Sequence, residues 1–508
     1  MKFWETETTN LHKDKAAVKD DQGNILSYKE LNEQIHLFDC LTGFRELVIV
    51  LVPDKNAASG INTDSGIHAA RGTHATRGTN ATFGSMESLL GYLSCIRNHH
   101  IPLMLSENIN QDRLMEYIIK YGINAIWMPV RKKTELDKLC RNRHIPAIYQ
   151  CICSYGSYSL YHISDVPVTV HEELALLLTT SGSTGTGKLV RISYKNLRSN
   201  TMNIAKSLAI TSYDMAVVSL PMYYTYGLSV INTHLYKNAT LFITKSPPYS
   251  SKFWEMCKKY EVTSFAGVPY TYELLHKMGF HNMELPSLKT LTVAGGRLGK
   301  KEEQYYTEYA MKNHKRFFVM YGQTEATARI SCRPCHIMNK KTGSAGIPIP
   351  EGEVWIEDQD GKRSIESCEI GEVVYRGSNV SMGYACSQED FSRGYDWGDI
   401  LHTKDLGYQD EDGCLYLIGR KDRVVKVNGV RIDLEEMEKM LKKEYGHYEF
   451  QCEVEKCAEL CMVKKIQIRV STNDGRKKIM DSTEDILVSY LVEKTGFGRK
   501  FFHVIMET

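Results

Sequence analysis

The sequence predicts an α/β protein. Helix-covered parallel sheets form a large N-terminal part, a small β-rich subdomain follows, and a compact α+β unit closes the chain. Three observations carry this. Aliphatic strands alternate with amphipathic stretches from Glu46 to about Tyr321, the pattern of parallel strands joined by helical crossovers. From Gly343 to Gly419 the texture changes to short alternating segments beside Asp-Gly turns. After Asp422, helical and extended patterns mix in a short span. With 508 residues and 42% hydrophobic content, the chain exceeds one core, so two or more domains are expected.

The strand candidates are LVIVLV (47–52), INAIWMPV (123–130), LALLL (174–178), MAVVSLP (215–221), ATLFIT (239–244), TSFAGVP (263–269), LKTLTVAG (288–295) and FFVMYG (317–322). Each is a short apolar run, as buried strands are. Helical periodicity lies between several of them, for instance Lys195 to Ala209 and Tyr270 to Met278. In such folds ligands gather at the carboxyl ends of strands, where TTSGSTG, AGG and YGQTE stand. In the β-rich stretch, EVWIED, EVVYRG and CLYLIGR accompany turns at Asp360-Gly361 and Asp412-Gly413. Further on, Asp433 and Glu436 form a pattern like a capping box. Leu434, Met437 and Leu441 then share one helix face, read as core packing.

The segment LALLLTTSGSTGTGKLVRISY (174–194) says most about chemistry. Gly182, Gly185 and Gly187 let the backbone turn its N–H groups inward. Thr179, Thr180, Ser181, Ser183, Thr184 and Thr186 add hydroxyl donors, and Lys188 adds a positive charge. Donors crowded on a flexible loop after a strand form a phosphate cradle, and a nucleoside triphosphate is the expected guest. Gly182 to Lys188 also fits G-x-x-x-x-G-K, the start of the P-loop pattern, which next needs Ser or Thr to hold magnesium. Leu189 stands there, which counts against a P-loop kinase. A plain Gly/Ser/Thr linker is the bland alternative, opposed by the aliphatic strand before it.

Composition narrows the partners. With 63 basic and 61 acidic residues the net charge is +2, which gives no reason to expect nucleic acid. The polar start MKFWETETTNLHKDK lacks a signal-peptide core, and no apolar run reaches about 18 residues. A cytoplasmic enzyme without a membrane span is expected. The 14 cysteines include the C-x-x-C pair Cys332 and Cys335, without a second pair at zinc-ribbon spacing, so reduced thiols are expected rather than a metal site. Residues 60–83 read GINTDS, GIHAAR, GTHATR, GTNATF, four copies of a six-residue unit. Too polar to bury a core, this low-complexity insert is expected on the surface.

Further motifs follow the loop in order: PMYYTYG (221–227), GVP (267–269), AGG (294–296), YGQTEAT (321–327), GSAGIPIP (343–350), GEVVYRG (371–377), HTKDLGY (402–408) and GRKDRVVKVNGVRI (419–432). In this order and spacing they resemble the adenylate-forming superfamily, which comprises acyl-CoA synthetases, peptide-synthetase adenylation domains and luciferases. The resemblance spans about the whole chain apart from the insert and the end. It implies an N-terminal AMP-binding domain of two helix-covered sheets plus the β-rich subdomain over residues 1–420. A mobile C-terminal domain is implied over 421–508, with Asp422 as hinge.

The resemblance also implies a reaction. A small carboxylic acid is joined to AMP from ATP, with Mg2+ and release of pyrophosphate. The acyl group then passes to the phosphopantetheine thiol of CoA or of an acyl carrier protein. By the same resemblance, Thr180, Ser181, Gly182, Ser183, Thr184, Gly185, Thr186, Gly187 and Lys188 hold the β- and γ-phosphates. Thr324 contacts the α-phosphate, and Glu325 ligates magnesium. Tyr321 stacks on adenine near Gly295 and Gly296, Asp405 binds both ribose hydroxyls, and Arg420 reaches the ribose. Lys426 faces the adenylate, and Tyr224, Tyr226 and Gly322 border the acid. Taken singly, Thr324 and Glu325 also read as a helix N-cap with a first-turn acid, Asp405 as a turn residue, and Arg420 with Lys421 as a solvated charge run.

Departures from the family pattern refine this. Tyr224 stands where many acyl-CoA synthetases have His. Gly227 is the nearest match to the Asp that holds an α-ammonium in amino-acid-activating domains, and an unpaired buried ammonium is costly. α-Amino acids are therefore disfavoured. Tyr223, Tyr224 and Tyr226 suggest an aromatic-lined pocket for an aliphatic or aryl acid, or else core aromatics. Asn428 replaces a second lysine of some relatives. The family's late lysine segment has no counterpart after FFHVIMET (501–508), and Lys500 lies in another context. Weak acyl-AMP formation is thus expected beside retained use of supplied acyl-AMP. A loader specific for a carrier protein, an enzyme stopping at the adenylate and a non-catalytic nucleotide-binding homologue remain the rival readings.

Overall fold

The structure is a computed structural model that describes residues 13–41, 43–54, 84–142, 150–179, 188–358, 360–364, 366–421, 424–427, 430–445, 448–456, 463–472 and 483–506. The hexapeptide repeat, loop residues 180–187, Asp422, Asn428 and Gly429 lie outside them.

The strand Leu47–Val52 explains the architecture. Val48, Val50 and Val52 point to one side, where they pack with Leu89 and Leu93 of helix Met86–Arg97 and with Leu197, Leu228 and Ile231. Leu47, Ile49 and Leu51 point to the other, against Leu114, Met115 and Ile118 of helix Gln111–Tyr121. A strand buried on both faces must be apolar throughout, so its sequence reads as an unbroken aliphatic run.

Two large sheets are built this way. One runs Gly383–Ala385, Leu189–Ser193, Leu174–Thr179, Ile101–Ser106, Leu47–Val52, Ala125–Pro129, Tyr158–His162 and Gln150–Tyr155 from edge to edge. Its four central strands are parallel. The other runs Ile347–Pro348, Ser331–Cys332, Arg316–Tyr321, Thr290–Val293, Ser264–Gly267, Met215–Val217, Thr240–Ile243, Ala16–Asp20 and Ile25–Ser27. It is parallel from Arg316–Tyr321 through Ala16–Asp20. Helices Met86–Arg97, Tyr194–Ser207 and Thr225–Tyr236 lie between the sheets and share one core with both. Helices Ser251–Lys259, Pro269–Lys277 and Lys300–Lys312 cover the far face of the second sheet.

All eight strand candidates are strands, some shorter than expected. MAVVSLP is a strand only over Met215–Val217. Pro221 has no N–H to give a ladder, and its carbonyl instead accepts from the Tyr224 N–H (3.1 Å) in the turn that starts helix Thr225–Tyr236. The P-loop pattern, already opposed by Leu189, is opposed by the fold as well. Leu189 begins a strand antiparallel to Leu174–Thr179, and the next helix starts only at Tyr194. The loop therefore joins two strands and has no helix N-terminus behind it, as a P-loop requires.

The β-rich stretch forms a separate antiparallel sheet: Glu353–Glu357, Gly371–Arg376, Ile400–Gln409 and Leu415–Arg420. Gly361 and Gly413 take the positive φ (75° and 74°) that their turns require. Beyond it a hairpin, Val424–Val427 with Val430–Asp433, leads into helix Leu434–Glu444. Leu434, Met437 and Leu441 bury against Ile466, Ile468, Leu487 and Leu491, as core packing predicts. Among the described residues no helix is long and apolar enough to cross a membrane.

One buried pair at the head of the first sheet titrates in opposite senses. Burial, with Asp165 adding to it, pushes the Glu46 carboxyl up to about 7. Burial, helped by Arg45, pulls the His100 imidazole down to about 4, and His100 Nδ1 accepts the Glu46 N–H at 3.1 Å. Glu46 keeps its proton in the folded state, so its contribution to stability falls as pH rises from 4.5 toward 7. His100 releases its proton on folding, so its contribution falls as pH drops from 6.5 toward 4. The two slopes oppose each other between pH 4.5 and 6.5. Glu46→Gln should leave only the second, so that urea-unfolding free energies rise with pH across this window more steeply than in the wild type. An unchanged slope would contradict the pairing.

Candidate active site

Strands Ser264–Gly267, Thr290–Val293 and Arg316–Tyr321 are parallel and in register, so the turns after them meet. Gly295 follows the second at φ 85°, and a β-carbon there would stand 2.5 Å from the Tyr224 hydroxyl oxygen. Gly296 is exposed beside the Pro269 ring. Tyr224, half-buried, is the N-cap residue of helix Thr225–Tyr236, so the AGG turn and the aromatic segment share one edge of the site.

Tyr321 ends the third strand. Its hydroxyl donates to Asp405 Oδ2, and Arg420 Nη1 donates to Asp405 Oδ1 at 3.0 Å. Asp405 and Arg420 face each other across adjacent antiparallel strands, which fixes the ion pair by register. Burial and the neighbouring Asp405 carboxylate raise the Tyr321 phenol well above its ordinary range, so it stays a donor. A carboxylate offers about four lone-pair sites. Tyr321 and Arg420 take one each, which leaves room for a vicinal diol.

The chain then makes a tight turn. Thr324–Ala326 is a single 3-10 turn, and Thr327 follows at φ 63° and ψ −56°. The Ala328 N–H donates to the Ala326 carbonyl at 2.6 Å, closing a γ-turn around a β-branched residue. Such a conformation costs about 1–3 kcal/mol and persists only where surroundings enforce it. Here Asn379, 1% exposed, enforces it. Its Nδ2 donates to the carbonyls of Ala326 and Arg329, both at 2.9 Å, and its Oδ1 accepts from the Tyr375 hydroxyl at 2.7 Å. The Thr327 hydroxyl donates back to the Asn379 carbonyl at 2.7 Å, and the Thr225 hydroxyl donates to the Thr327 carbonyl. Thr324 and Glu325 are thereby held in place, and neither caps an α-helix.

Glu325 is 4% exposed and accepts from the Tyr384 hydroxyl at 2.7 Å. The Lys188 ammonium lies over the Tyr384 ring, 4.5 Å from its centre. Tyr384 pairs with Val190 of the strand that Lys188 enters. The end of the glycine-rich loop and the Glu325 carboxylate are thus joined through one phenol.

On the other side, Tyr226 is buried and shares a hydrogen bond with the Thr292 hydroxyl at 2.7 Å. The Arg329 guanidinium lies over its ring at 4.8 Å. Gly322 is required by close packing, since a β-carbon would stand 2.0 Å from the Ala328 carbonyl oxygen. Gly227 is closed in the same way, 2.2 Å from the Pro221 carbonyl oxygen.

The structure therefore gathers Lys188, Tyr224, Tyr226, Gly295, Gly296, Tyr321, Gly322, Thr324, Glu325, Asp405 and Arg420. Lys426 lies in the strand Val424–Val427, opposite Arg431. Thr180 to Gly187 and Asp422 lie outside the described residues. Sequence reasoning missed Asn379, Tyr384 and Arg329. The one signal available was a charged residue inside the otherwise uncharged run ATARISC.

Replacing Asn379 by Ala removes three buried hydrogen bonds and frees a strained turn. Asn379→Ala should lower the unfolding free energy by about 2–4 kcal/mol, measured by urea denaturation. A change within about 0.5 kcal/mol would show that the turn holds itself.

A family model described as AMP-binding enzyme matches residues 81–385, more than half of the chain. The oxalate–CoA ligase of Arabidopsis thaliana is 31% identical over 277 residues, covering 53% of this chain and 52% of that protein. The 2-succinylbenzoate–CoA ligase of Bacillus cereus is 28% identical over 56% of this chain and 59% of its own length. The chain spans about half the length of the curated relatives it matches. Among solved structures, o-succinylbenzoate CoA synthetase from Bacillus subtilis, bound with a product analogue, superposes with a TM-score of 0.72 at 19% identity. That match covers 99% of this chain and 95% of that one. ATP-bound MatB from Rhodopseudomonas palustris gives 0.62 at 19%, covering 100% and 94%. These two establish the fold. With its family match running from the end of the hexapeptide repeat to the strand that carries Tyr384, this chain belongs to the AMP-binding enzyme family.

Proposed function

We propose that this chain is an ATP-dependent acid:thiol ligase that activates a carboxylic acid as acyl-AMP and then forms a thioester. One observation carries the reading: a carboxylate prepared for a diol, Asp405 with Tyr321 and Arg420, is joined through Tyr321 to the segment that carries a buried carboxylate linked to Lys188, Glu325 with Tyr384.

Charge control is the central problem, because the acid's carboxylate and the α-phosphate are both anionic. Asp405 takes the ribose hydroxyls on its remaining lone pairs, and Tyr321 places its ring beside the base near Gly295 and Gly296. Lys188 and the hydroxyls and N–H groups of residues 180–187 take the β- and γ-phosphates. Thr324 donates to the α-phosphate. A carboxylate oxygen then bonds to the α-phosphorus, the bond from that phosphorus to the bridging oxygen breaks, and pyrophosphate leaves. Glu325 supplies the oxygen ligand that a magnesium ion takes from protein at such sites, and the bound ion would offset the triphosphate charge. In the second step a thiolate attacks the acyl carbon and AMP leaves.

The family's two-domain division supports a large domain over 1–420 and a small one over 421–508, with Asp422 as the hinge that brings Lys426 to the adenylate. CoA ligases among the relatives favour CoA as acceptor, with a carrier protein as the alternative. Gly227 cannot carry the carboxylate that would hold an α-ammonium, so free acids without one are the substrates. A cytoplasmic setting fits a chain that draws on ATP and CoA.

Two measurements test the site. Asp405→Ala should weaken ATP and AMP alike, by about 10- to 100-fold for two charge-assisted hydrogen bonds. Equal AMP affinity for variant and wild type in calorimetry would remove Asp405 from the ribose. Glu325→Gln keeps the shape and removes the charge, so acid-dependent pyrophosphate exchange should fall about 100-fold or more. A near-normal rate at saturating magnesium would exclude Glu325 as a ligand.

A further inference from the structure

Among the described residues three arginines are all but sealed from solvent. Arg191 meets Asp396 at 2.6 Å, and Arg333 meets Glu303. Arg329, 2% exposed, meets no carboxylate, and its guanidinium makes no hydrogen bond or ion pair with any described residue. Its Nε is shielded and unpartnered. Ala328, Cys332 and Tyr226 beside it belong to an apolar cluster with Leu220, Phe318 and Met320. The face of the Tyr226 ring offsets only part of the charge.

An arginine cannot escape burial by losing its proton. A buried cation without a counter-ion is among the costliest groups a fold can hold. The position is nevertheless fixed from several sides. The Arg329 carbonyl accepts from Asn379 at 2.9 Å and Asn200 at 3.2 Å, and the absent side chain of Gly322 lets the Arg329 Cα approach. Of the residues expected to border the acid, Tyr226 lies under this cation, Tyr224 is within reach of its charge, and Gly322 packs against its Cα.

We propose that Arg329 is a specificity-determining residue that pairs with a second carboxylate, so that the substrate is a dicarboxylic acid activated at one end and held through the guanidinium at the other. The inference rests on the ligase reading above. A guanidinium fork matches a carboxylate in bidentate geometry, and a site built for a charged partner rejects the analogue that lacks it.

The test uses the full chain and paired acids: succinate, glutarate and adipate, each against the monocarboxylate of equal carbon number, and carboxymethylbenzoate against methylbenzoate. In acid-dependent pyrophosphate exchange at least one diacid should exceed its partner in kcat/KM by about 100-fold or more. Arg329→Met should erase that preference, and Arg329→Lys, which keeps the charge without the fork, should fall between. A wild-type preference for the monoacid in every pair would overturn the proposal. So would an equal loss for both members in Arg329→Met, which would put the guanidinium on the reacting carboxylate. Calorimetric binding of the diacids without ATP reads Arg329 independently of catalysis, with affinity expected to drop about 100-fold in Arg329→Met. Diacid binding that depends on Arg329, with no exchange on any acid, would sink the ligase reading and sustain the arginine. Exchange confined to monoacids would do the reverse. Arg329→Met should melt no lower than the wild type, because an unpaired buried charge is removed. If that variant fails to fold, the wild-type preference within each pair decides.

Discussion

The carbonyls of Ala326 and Arg329 both point at the side-chain amide of Asn379, and that convergence sets the geometry of the whole site. Without it, Thr327 would relax from its positive φ and the turn from Thr324 onward would open. Tyr375, which donates to Asn379, belongs to the four-stranded sheet, whereas Thr324 follows a strand of the nine-stranded one. The amide therefore also fastens two sheets together at the point where Tyr321 meets Asp405. A strained turn that is over-determined by buried hydrogen bonds is a rigid platform for Thr324 and Glu325.

Around this platform the charges follow one rule. Asp405 meets Arg420, Arg191 meets Asp396, and Arg333 meets Glu303. Lys188 rests on an aromatic face. Each of these charges has a partner in the protein that offsets part of the cost of burial. Arg329 breaks the rule, and it does so against the aromatic residues Tyr226 and Tyr224. A missing counter-ion at that place tells more about the ligand than another satisfied pair would.

Much of the fold was legible in the sequence for a physical reason. Leu47–Val52 and Leu174–Thr179 are covered on both faces, so their aliphatic runs had to be continuous. The edge of Met215–Val217 was harder, because Val218 still donates to the neighbouring strand before the chain turns toward Pro221. Asp405 and Tyr321 were legible through ordered motifs, and their hydrogen bond joins segments 84 residues apart. Asn379 and Tyr384 were not, since each matters through a partner about 50 to 60 residues away and neither sits in a pattern that announces it. The glycine-rich loop illustrates the limit differently. Its composition raised the expectation of phosphate, whereas only the fold shows that a strand, and not a helix, begins at Leu189.

The contact between Gly227 and the Pro221 carbonyl has a bearing on how the substrate range of such a protein can change. Tyr224 is half-buried beside Gly295, where a new side chain meets other side chains and solvent. Position 227 faces main chain, which cannot rotate away. Variation at the first position reshapes a pocket by single steps. Variation at the second demands that the turn before helix Thr225–Tyr236 be rebuilt at the same time. A side chain at position 227 is therefore closed to point mutation alone, whereas position 224 stays open to it.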